Sequence, residues 1–280
     1  MALYNLANNA LIAGYNVYGE PMEYIYDFHG RELADITIMS FNIQRFSGIN
    51  AIPWLLDRIF STYNPDIVGF QEYDTTSTIS DVTLTSFLGN YWKHLEVGDT
   101  RITNYTKAVA SNLELFDPST VFYTVYSESR SYQKMYVNVG EKRIAIFHTH
   151  LDYDYEGSPN TPKARQIKEL YDACTREEYF VAFGDFNTVC TGTSDPDYIN
   201  MIQQFVDVGC NCANCSDQYG FCGTWTDGTT ETNGSWEQTD NIITSPNIKI
   251  KKVIIDKTKI MADTGKVIDH LPIIAYLEVH

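Results

Sequence analysis

Basic residues are scarce in this chain. Lysine and arginine number 20 against 36 aspartates and glutamates, a formal net charge of −16 over 280 residues. That balance argues against a protein that grips nucleic acid through a broad basic face. Nor does any Lys/Arg stripe interleaved with aromatics mark a track for a single strand. An enzyme that meets a phosphodiester briefly, and offsets the repulsion with divalent cations, remains compatible with the charge. No apolar run reaches membrane-spanning length, and the first 34 residues show no cationic stretch leading into an apolar one. A cytoplasmic protein is the first expectation and a mature secreted form the second. Linker-like Pro/Gly/Ser tracts, charge blocks and fixed-period repeats are missing as well. Residues 35–280 therefore read as one domain behind a Tyr- and Asn-rich segment, 1–34, to which no role is assigned. A monomer is expected.

Apolar content of 44% with 14% aromatics is enough for a sizeable core, so disorder is not the default. Six cysteines are present, four of them crowded at Cys210, Cys212, Cys215 and Cys222. Their C-x-C-x2-C-x6-C spacing is open to a structural zinc ion, to disulfides or to free thiols.

The central stretch is Tyr179–Val189. Phe180–Phe183 reads as a buried strand, and Gly184 lets the backbone turn or approach a neighbour closely. Asp185 and Asn187, two apart, leave one face of an extended chain. Around it, Ile36–Phe41 is a strand ending in Asn42, and Pro53–Thr62 a helix with Ile52, Leu55, Leu56 and Ile59 at helical spacing. Asp66–Phe70 is a strand emptying into Gln71 and Glu72, so strand, helix and strand form a βαβ pattern. Tyr105–Phe116 and Val121–Val137 read as strands of mixed face, and Arg143–Leu151 as a strand carrying His148 and His150. A helix runs from the Thr161-Pro162 cap to about Arg176, and another spans Pro196–Val206. Strands follow at Thr239–Ile243, Ile248–Ile255 and Ile273–Val279, the last preceded by Asp269-His270.

Six strands or their approaches thus end in polar groups: Asn42, Glu72, His150, Asp185 with Asn187, Asp240, and Asp269 with His270. Any one of these reads equally well as turn chemistry. Six together suggest convergence at one end of a sheet, where open α/β folds place their sites. Carboxylates gathered so closely need a cation or a shifted pKa. Oxygen donors without thiols suit magnesium or manganese better than zinc, which leaves the histidines to move protons or contact an anion.

In their order, Ser40-Phe41-Asn42-Ile43, Gly69-Phe70-Gln71-Glu72, Thr149-His150-Leu151, Gly184-Asp185-Phe186-Asn187, Asp240-Asn241-Ile242-Ile243 and Asp269-His270-Leu271-Pro272 resemble the motifs of the endonuclease/exonuclease/phosphatase superfamily, which includes DNase I and exonuclease III-type enzymes. The resemblance implies a DNase I-like α/β (α+β) fold: a four-layer sandwich of two packed mixed β-sheets flanked by helices, with the site across one edge. It implies a magnesium-dependent hydrolase of phosphoesters, most readily a phosphodiesterase or nuclease acting by in-line attack of water. By the same resemblance Glu72 is the main metal ligand, with Asn42 and Asp269 beside it. Asp185 orients or activates water, Asn187 and His150 contact phosphate, and Asp240 holds the imidazole of His270, which transfers a proton or binds phosphate. Tyr105 stands where relatives carry a phosphate-contacting tyrosine, and Asn42 counts with the phosphate contacts.

Three departures from the pattern matter. Lys107 and Ala108 stand where relatives have small residues or an acidic partner for His150. Gln44 replaces a metal-binding aspartate of some relatives, which argues for one principal metal site. Thr188-Val189 and Thr239-Asp240-Asn241 lack the signatures of inositol phosphatases. His148 and Arg165 read as structural. Two competing expectations are a phosphatase or phospholipase acting on a small or lipid phosphoester, and a non-catalytic binding module on the same fold.

Overall fold

The structure, a computed structural model, describes residues 34–44, 59–73, 83, 85–98, 106–125, 130–153, 158–190, 192–214, 224, 238–256 and 269–280, together with the backbone of 3–5, 10–13, 78–79, 82 and 84. The chain divides into two compact units, Met1–Ala34 and Asp35–His280. In the first, β1 (Leu3–Asn5) pairs antiparallel with β2 (Ala10–Ala13).

The second unit holds β3 (Ile36–Asn42), β4 (Ile67–Gln71), a two-stranded ribbon of β5 (Thr78–Ile79) and β6 (Val82–Thr83), β7 (His94–Val97), β8 (Ala108–Ser111), β9 (Phe116–Phe122), β10 (Ser131–Val139), β11 (Lys142–His150), β12 (Phe180–Asp185), β13 (Asn211–Cys212), β14 (Asp240–Thr244), β15 (Ile248–Ile255) and β16 (Ile273–Val279). Two six-stranded sheets result, in the orders β13-β14-β12-β11-β10-β9 and β15-β16-β3-β4-β8-β7. Each has one parallel pair at its centre, β11 with β12 and β3 with β4, and antiparallel partners outside it.

Strand alternation decides what lies between the sheets. Ile36 and Ile38 of β3, Ile67 of β4, Ile144 and Ile146 of β11, Val181 and Phe183 of β12, Ile242 of β14 and Ile273, Ala275 and Leu277 of β16 form one buried cluster joining both sheets. The opposite face of the first sheet, with Ala145, Phe147, Phe180, Ala182 and Ile243, packs on helix α2 (Pro162–Cys174) and α3 (Gln203–Val206) through Ile167, Leu170 and Phe205. The outer face of the second sheet meets an aromatic group in which Phe60 and Trp92 each lie edge-on to Phe70. These are the layers implied by the motif pattern, and the fold is the expected sandwich.

Most boundaries fall where the pattern put them. Thr161 caps α2, its Oγ1 accepting from the Ala164 N–H at 3.2 Å, with Pro162 in the first turn. Of the Pro53–Thr62 helix only its end is described, with residues 59–63 helical. Tyr105–Phe116 and Val121–Val137 resolve into three strands, β8, β9 and β10. Ser111 Oγ folds back on the backbone of Leu113 at 2.9 Å, donating to its carbonyl and accepting from its N–H, which ends β8. The Pro196–Val206 helix is split into a π-helical turn, Tyr198–Ile202, and α3. Strand β7, half-exposed along its length, and the five-residue α1 (Leu84–Leu88) carry no hydrophobic period by which they could be read.

Two glycines set the spacing at the heart of the unit. A Cβ on Gly69 of β4 would stand 2.3 Å from the Phe183 ring and 2.6 Å from the His148 ring, so the sheets approach there only because the side chain is missing. Gly184 of β12, at φ +145°, would place a Cβ 2.0 Å from the Thr149 carbonyl oxygen. That neighbour is backbone and cannot swing away. Gly184→Ala is therefore expected to destabilise the fold by about 3 kcal/mol or more through overpacking and backbone strain, read as a lowered urea midpoint; an unchanged midpoint would show that β11 and β12 can separate freely.

Candidate active site

The parity that buries Ile36, Ile38 and Ser40 between the sheets also turns Asn42 inward at the end of β3. By the same rule His148 and His150 follow Ile144 and Ile146 on β11, Asp185 follows Val181 and Phe183 on β12, and Asp240 shares a face with Ile242 on β14. The parallel pairs bring the carboxyl ends of β3 and β4, and of β11 and β12, to common edges. Antiparallel β14 begins opposite the end of β12, with Asp185 and Asp240 directly paired. The apolar seam between the sheets thus turns polar at one end, through side chains from five strands and the loop before β16.

These groups form one cluster, linked by hydrogen bonds and by close contacts between imidazoles and carboxylates. His270 Nδ1 lies 2.8 Å from Asp240 Oδ2, and its Nε2 lies 3.6 Å from Asp185 Oδ2. Asp185 Oδ2 accepts from Asn42 Nδ2 at 3.0 Å, and His150 Nε2 is 3.4 Å away. Asp185 Oδ1 accepts from the backbone N–H of Asn187 at 2.9 Å. Asn42 Nδ2 reaches Glu72 Oε1 at 3.5 Å, while Asn42 Oδ1 accepts from the Gln44 N–H at 3.0 Å. Gln44 Nε2 in turn donates to Asp269 Oδ2 at 3.0 Å. Asp185, Asp240 and His270 each present a ligand atom within 4.8 Å of the others. Glu72 and Asp269 are partly exposed, whereas Asn42, His150, Asp185, Asp240 and His270 are buried.

Backbone geometry is unusual where these side chains leave the strands. Gln44, Glu72 and Asn187 have φ of 44°, 52° and 49°, in the left-handed region. For non-glycine residues that region costs about 1–2 kcal/mol each, and such strain gathers at functional sites.

Electrostatics separate the groups. Burial raises Asp185 to about 7, with the nearby Asp240 charge adding to the rise, while His270 and the Asn42 and Asn187 donors hold it back. For His270, burial acts downward, but Asp240, Asp185 and Asp269 together outweigh it and bring the imidazole up to about 10. His150 is held well below the histidine range by burial, then by Arg130, Lys107 and His270. At neutral pH the site therefore holds an imidazolium braced by Asp240, a carboxyl near its titration midpoint, and a neutral imidazole.

The candidates Asn42, Glu72, His150, Asp185, Asp240, Asp269 and His270 meet in this assembly, with Asp185 the carboxylate 3.4 Å from His150 Nε2. Asn187 joins through its backbone, while its amide Nδ2 donates to the Leu151 carbonyl at 2.8 Å. Tyr105 lies outside the described residues, as do Cys215 and Cys222. Cys210 and Cys212 are free and sit with Cys174 and Cys190 in the cluster beneath α2 and α3. Burial raises both thiols, Cys210 to about 11, opposite to the low-pKa setting that favours thiolates. Arg165 is exposed on α2.

Several supporting groups carry no sequence signal. Lys163, wholly buried on α2, donates to the Asn187 carbonyl at 2.8 Å and to Asp197 Oδ2 at 3.1 Å, fixing the loop after β12. Arg130 Nε pairs with Asp152 Oδ1 at 3.3 Å. His148, read as structural, links the sheets: its ring nitrogens meet Gln71 Nε2 at 2.6 Å and Gln133 Oε1 at 3.1 Å, and Gln133 Nε2 donates to the Glu96 carbonyl at 3.1 Å. Only long-range pairing creates these contacts, since the partners lie 15 to 77 residues apart in sequence.

Two face-to-face mixed sheets with acids, amides and imidazoles at one end of the seam define the class of DNase I-like proteins. The profile of the Endonuclease/Exonuclease/phosphatase family matches residues 39–256, and the chain belongs to that family. Among solved structures it is similar to truncated TDP2 from Caenorhabditis elegans, at 15% identity over 87% of this chain and 98% of that one, with a TM-score of 0.64. An endonuclease/exonuclease/phosphatase from Beutenbergia cavernae DSM 12333 gives 14% identity over 87% and 71%, with a TM-score of 0.66. D. rerio TDP2, in complex with a single-strand DNA product, gives 14% over 87% and 99%, with a TM-score of 0.63. No curated protein matches the sequence.

His148 provides a test of the electrostatics. Burial, then the Lys107 charge, depresses it well below the ordinary 6.5. A depressed folded-state value means the unfolded chain binds the extra proton, so the stabilisation is complete above pH 6.5 and is lost as pH falls below it. Between pH 6.5 and 5.5 the wild type should lose about 1 kcal/mol more than His148→Gln in urea unfolding; equal losses would mean that His148 is not buried in the neutral form.

Proposed function

We propose that the protein is a divalent-metal-dependent phosphoester hydrolase, a phosphodiesterase of nuclease type in which water attacks phosphorus in line. The observation that carries this is the continuous buried line Asp240–His270–Asp185–Asn42, extended by Asn42 to Glu72. Burying two carboxylates and an imidazole at the end of an apolar seam is costly, and packing alone gives no reason for it. Family membership over residues 39–256 supports the same chemistry.

Each group suits a step of such a reaction. Asp185, raised to about 7, has the proton affinity of a base that orients and deprotonates water near neutral pH. His270, protonated and braced by Asp240, donates toward a phosphoryl oxygen or the leaving group. Neutral His150 offers its ring to phosphate next to Asp185. The Asn187 N–H, already spent on Asp185, holds that carboxylate in aim, so the phosphate role of Asn187 falls to the second N–H of its amide, the first being given to the Leu151 carbonyl.

Glu72, Asn42 and Asp269 would hold the cation. They are oxygen donors only, a set suited to magnesium or manganese, and Gln44 joins Asn42 to Asp269 in one corner. When bound, the cation supplies charge stabilisation to the phosphoryl oxygens. Asp185, Asp240 and His270 are close enough to ligate as well. In that group, however, His270 already donates to Asp240 and carries positive charge, which suits it to handling protons. A nucleic-acid strand is the first substrate to test, since one structural neighbour is a complex with a single-strand DNA product. The net charge of −16 favours brief encounters with it over a lasting grip.

Turnover of bis(p-nitrophenyl) phosphate should need Mg2+ or Mn2+ and disappear with EDTA. Activity indifferent to chelation would remove the role given to Glu72, Asn42 and Asp269. Asp185→Ala and His270→Ala should each lower kcat by about 10²- to 10⁴-fold, the usual loss of a general acid or base, with circular dichroism unchanged. Plasmid DNA, abasic DNA, RNA, inositol phosphates and sphingomyelin assayed in parallel identify the substrate, and binding without turnover of any of them would favour a non-catalytic module.

A further inference from the structure

Lys107 is a buried cation without a matching anion. It precedes β8 and is 3% exposed. Its Nζ donates to Ser131 Oγ at 2.9 Å, the only hydrogen bond it makes among the described residues, and no carboxylate there pairs with it. An ammonium has three donors, and leaving such a charge buried and poorly partnered is costly. Nearby Arg130, whose charge is answered by Asp152, adds like-charge repulsion. Burial and Arg130 bring Lys107 down to about 7, so an anion drawn up beside it would restore its full charge.

The placement of this cation is specific. Strand β8 pairs with β4, Ala108 facing Phe70, and the Thr106 carbonyl accepts from the Tyr73 N–H at 2.9 Å. Lys107 therefore lies level with Gln71 and Glu72, at the site end of the second sheet. Ser131 begins β10 in the first sheet. Tyr132 pairs with Thr149, and continuing that register sets Ser131 beside His150. The strand order β12-β11-β10 puts Asp185, His150 and Ser131 on successive strands. Two strand spacings make roughly 10 Å from Asp185 to Ser131, too far for a group on the phosphorus that Asp185 addresses, but within reach of a neighbouring phosphate.

We propose that Lys107, held by Ser131 and backed by Arg130, is a second anion subsite on the far side of His150 from Asp185, taking a phosphate that adjoins the scissile one in the substrate. The inference rests on the hydrolase reading for what the site binds. It selects substrates with a second phosphate next to the bond that is cut, such as a nucleotide chain or a phosphorylated nucleotide ester, over isolated phosphodiesters.

Inorganic phosphate serves as the probe, followed by thermal unfolding of the whole chain with and without it. Phosphate should raise the wild-type Tm. The concentration giving half that rise should increase at least tenfold in Lys107→Met, about 1.4 kcal/mol of binding, and return most of the way in Lys107→Arg. The ligand-free Tm of Lys107→Met should equal or exceed the wild type, because an uncompensated buried charge is gone; a purely structural lysine would instead lower it and leave the phosphate midpoint in place. An unchanged midpoint, or no phosphate-dependent rise in the wild type, overturns the subsite. Should Lys107→Met not fold, Ser131→Ala reads the same midpoint, with a smaller increase expected and no increase overturning the proposal. The hydrolase reading is judged separately, by kcat/KM of thymidine 5′-(p-nitrophenyl phosphate) with and without a 3′-phosphate. No turnover of either ester sinks that reading while the phosphate midpoint still decides the subsite. Turnover with a 3′-phosphate advantage that survives in Lys107→Met sinks the subsite alone.

Discussion

A carboxylate taken out of water where two sheets close on each other needs donors on every side, and Asp185 is the place where this protein meets that demand. Its two oxygens take the Asn42 amide and the Asn187 backbone N–H, with the rings of His150 and His270 close by. Each donor comes from a different strand or loop. The carboxylate can therefore be satisfied only when β3, β11, β12 and the segment before β16 have all assembled in register. A one-residue slip in any of those strands would turn its polar end away from the seam and an apolar neighbour toward it. Folding and site assembly are in that sense one event.

Much of the frame was legible in the residues because the central strands are buried on both faces. Ile36–Asn42, Phe180–Asp185 and Asp240–Thr244 are uniformly buried, so a plain apolar run was signal enough, and the polar residue at the end of the first two runs and at the start of the third was the clue to the site. Helix α2 announced itself through Thr161-Pro162 and a stripe of Ile167, Leu170, Tyr171 and Cys174, all of them buried except Tyr171, which packs against the cluster half-covered. What escaped was half-exposed or irregular: β7, the short α1, the break between β9 and β10, and the π-helical turn before α3. In those segments tertiary contacts, not local period, fix the backbone.

The site divides along the same line. Residues ending strands could be gathered from the order of their motifs. Groups acting from behind could not, because their chemistry arises only from pairing. Gln71 looks like a strand residue until His148 is set against it, and Lys163 looks like a surface helix position until Asn187 and Asp197 meet its ammonium. Lys107 stood out as a departure from the family pattern, yet only its burial against Ser131 shows how isolated the charge is.

The left-handed turns at Gln44, Glu72 and Asn187 carry one further implication. Glycine would occupy all three with less torsional effort, and none of the three positions has it. Each is a point where side-chain chemistry overrules conformational ease, so the chain trades some folding free energy for what those side chains do. A glycine placed there would relax the main chain and silence the side chain in one stroke. Backbone comfort and chemical competence can thus be weighed against each other at a single position, with the fold as its own control.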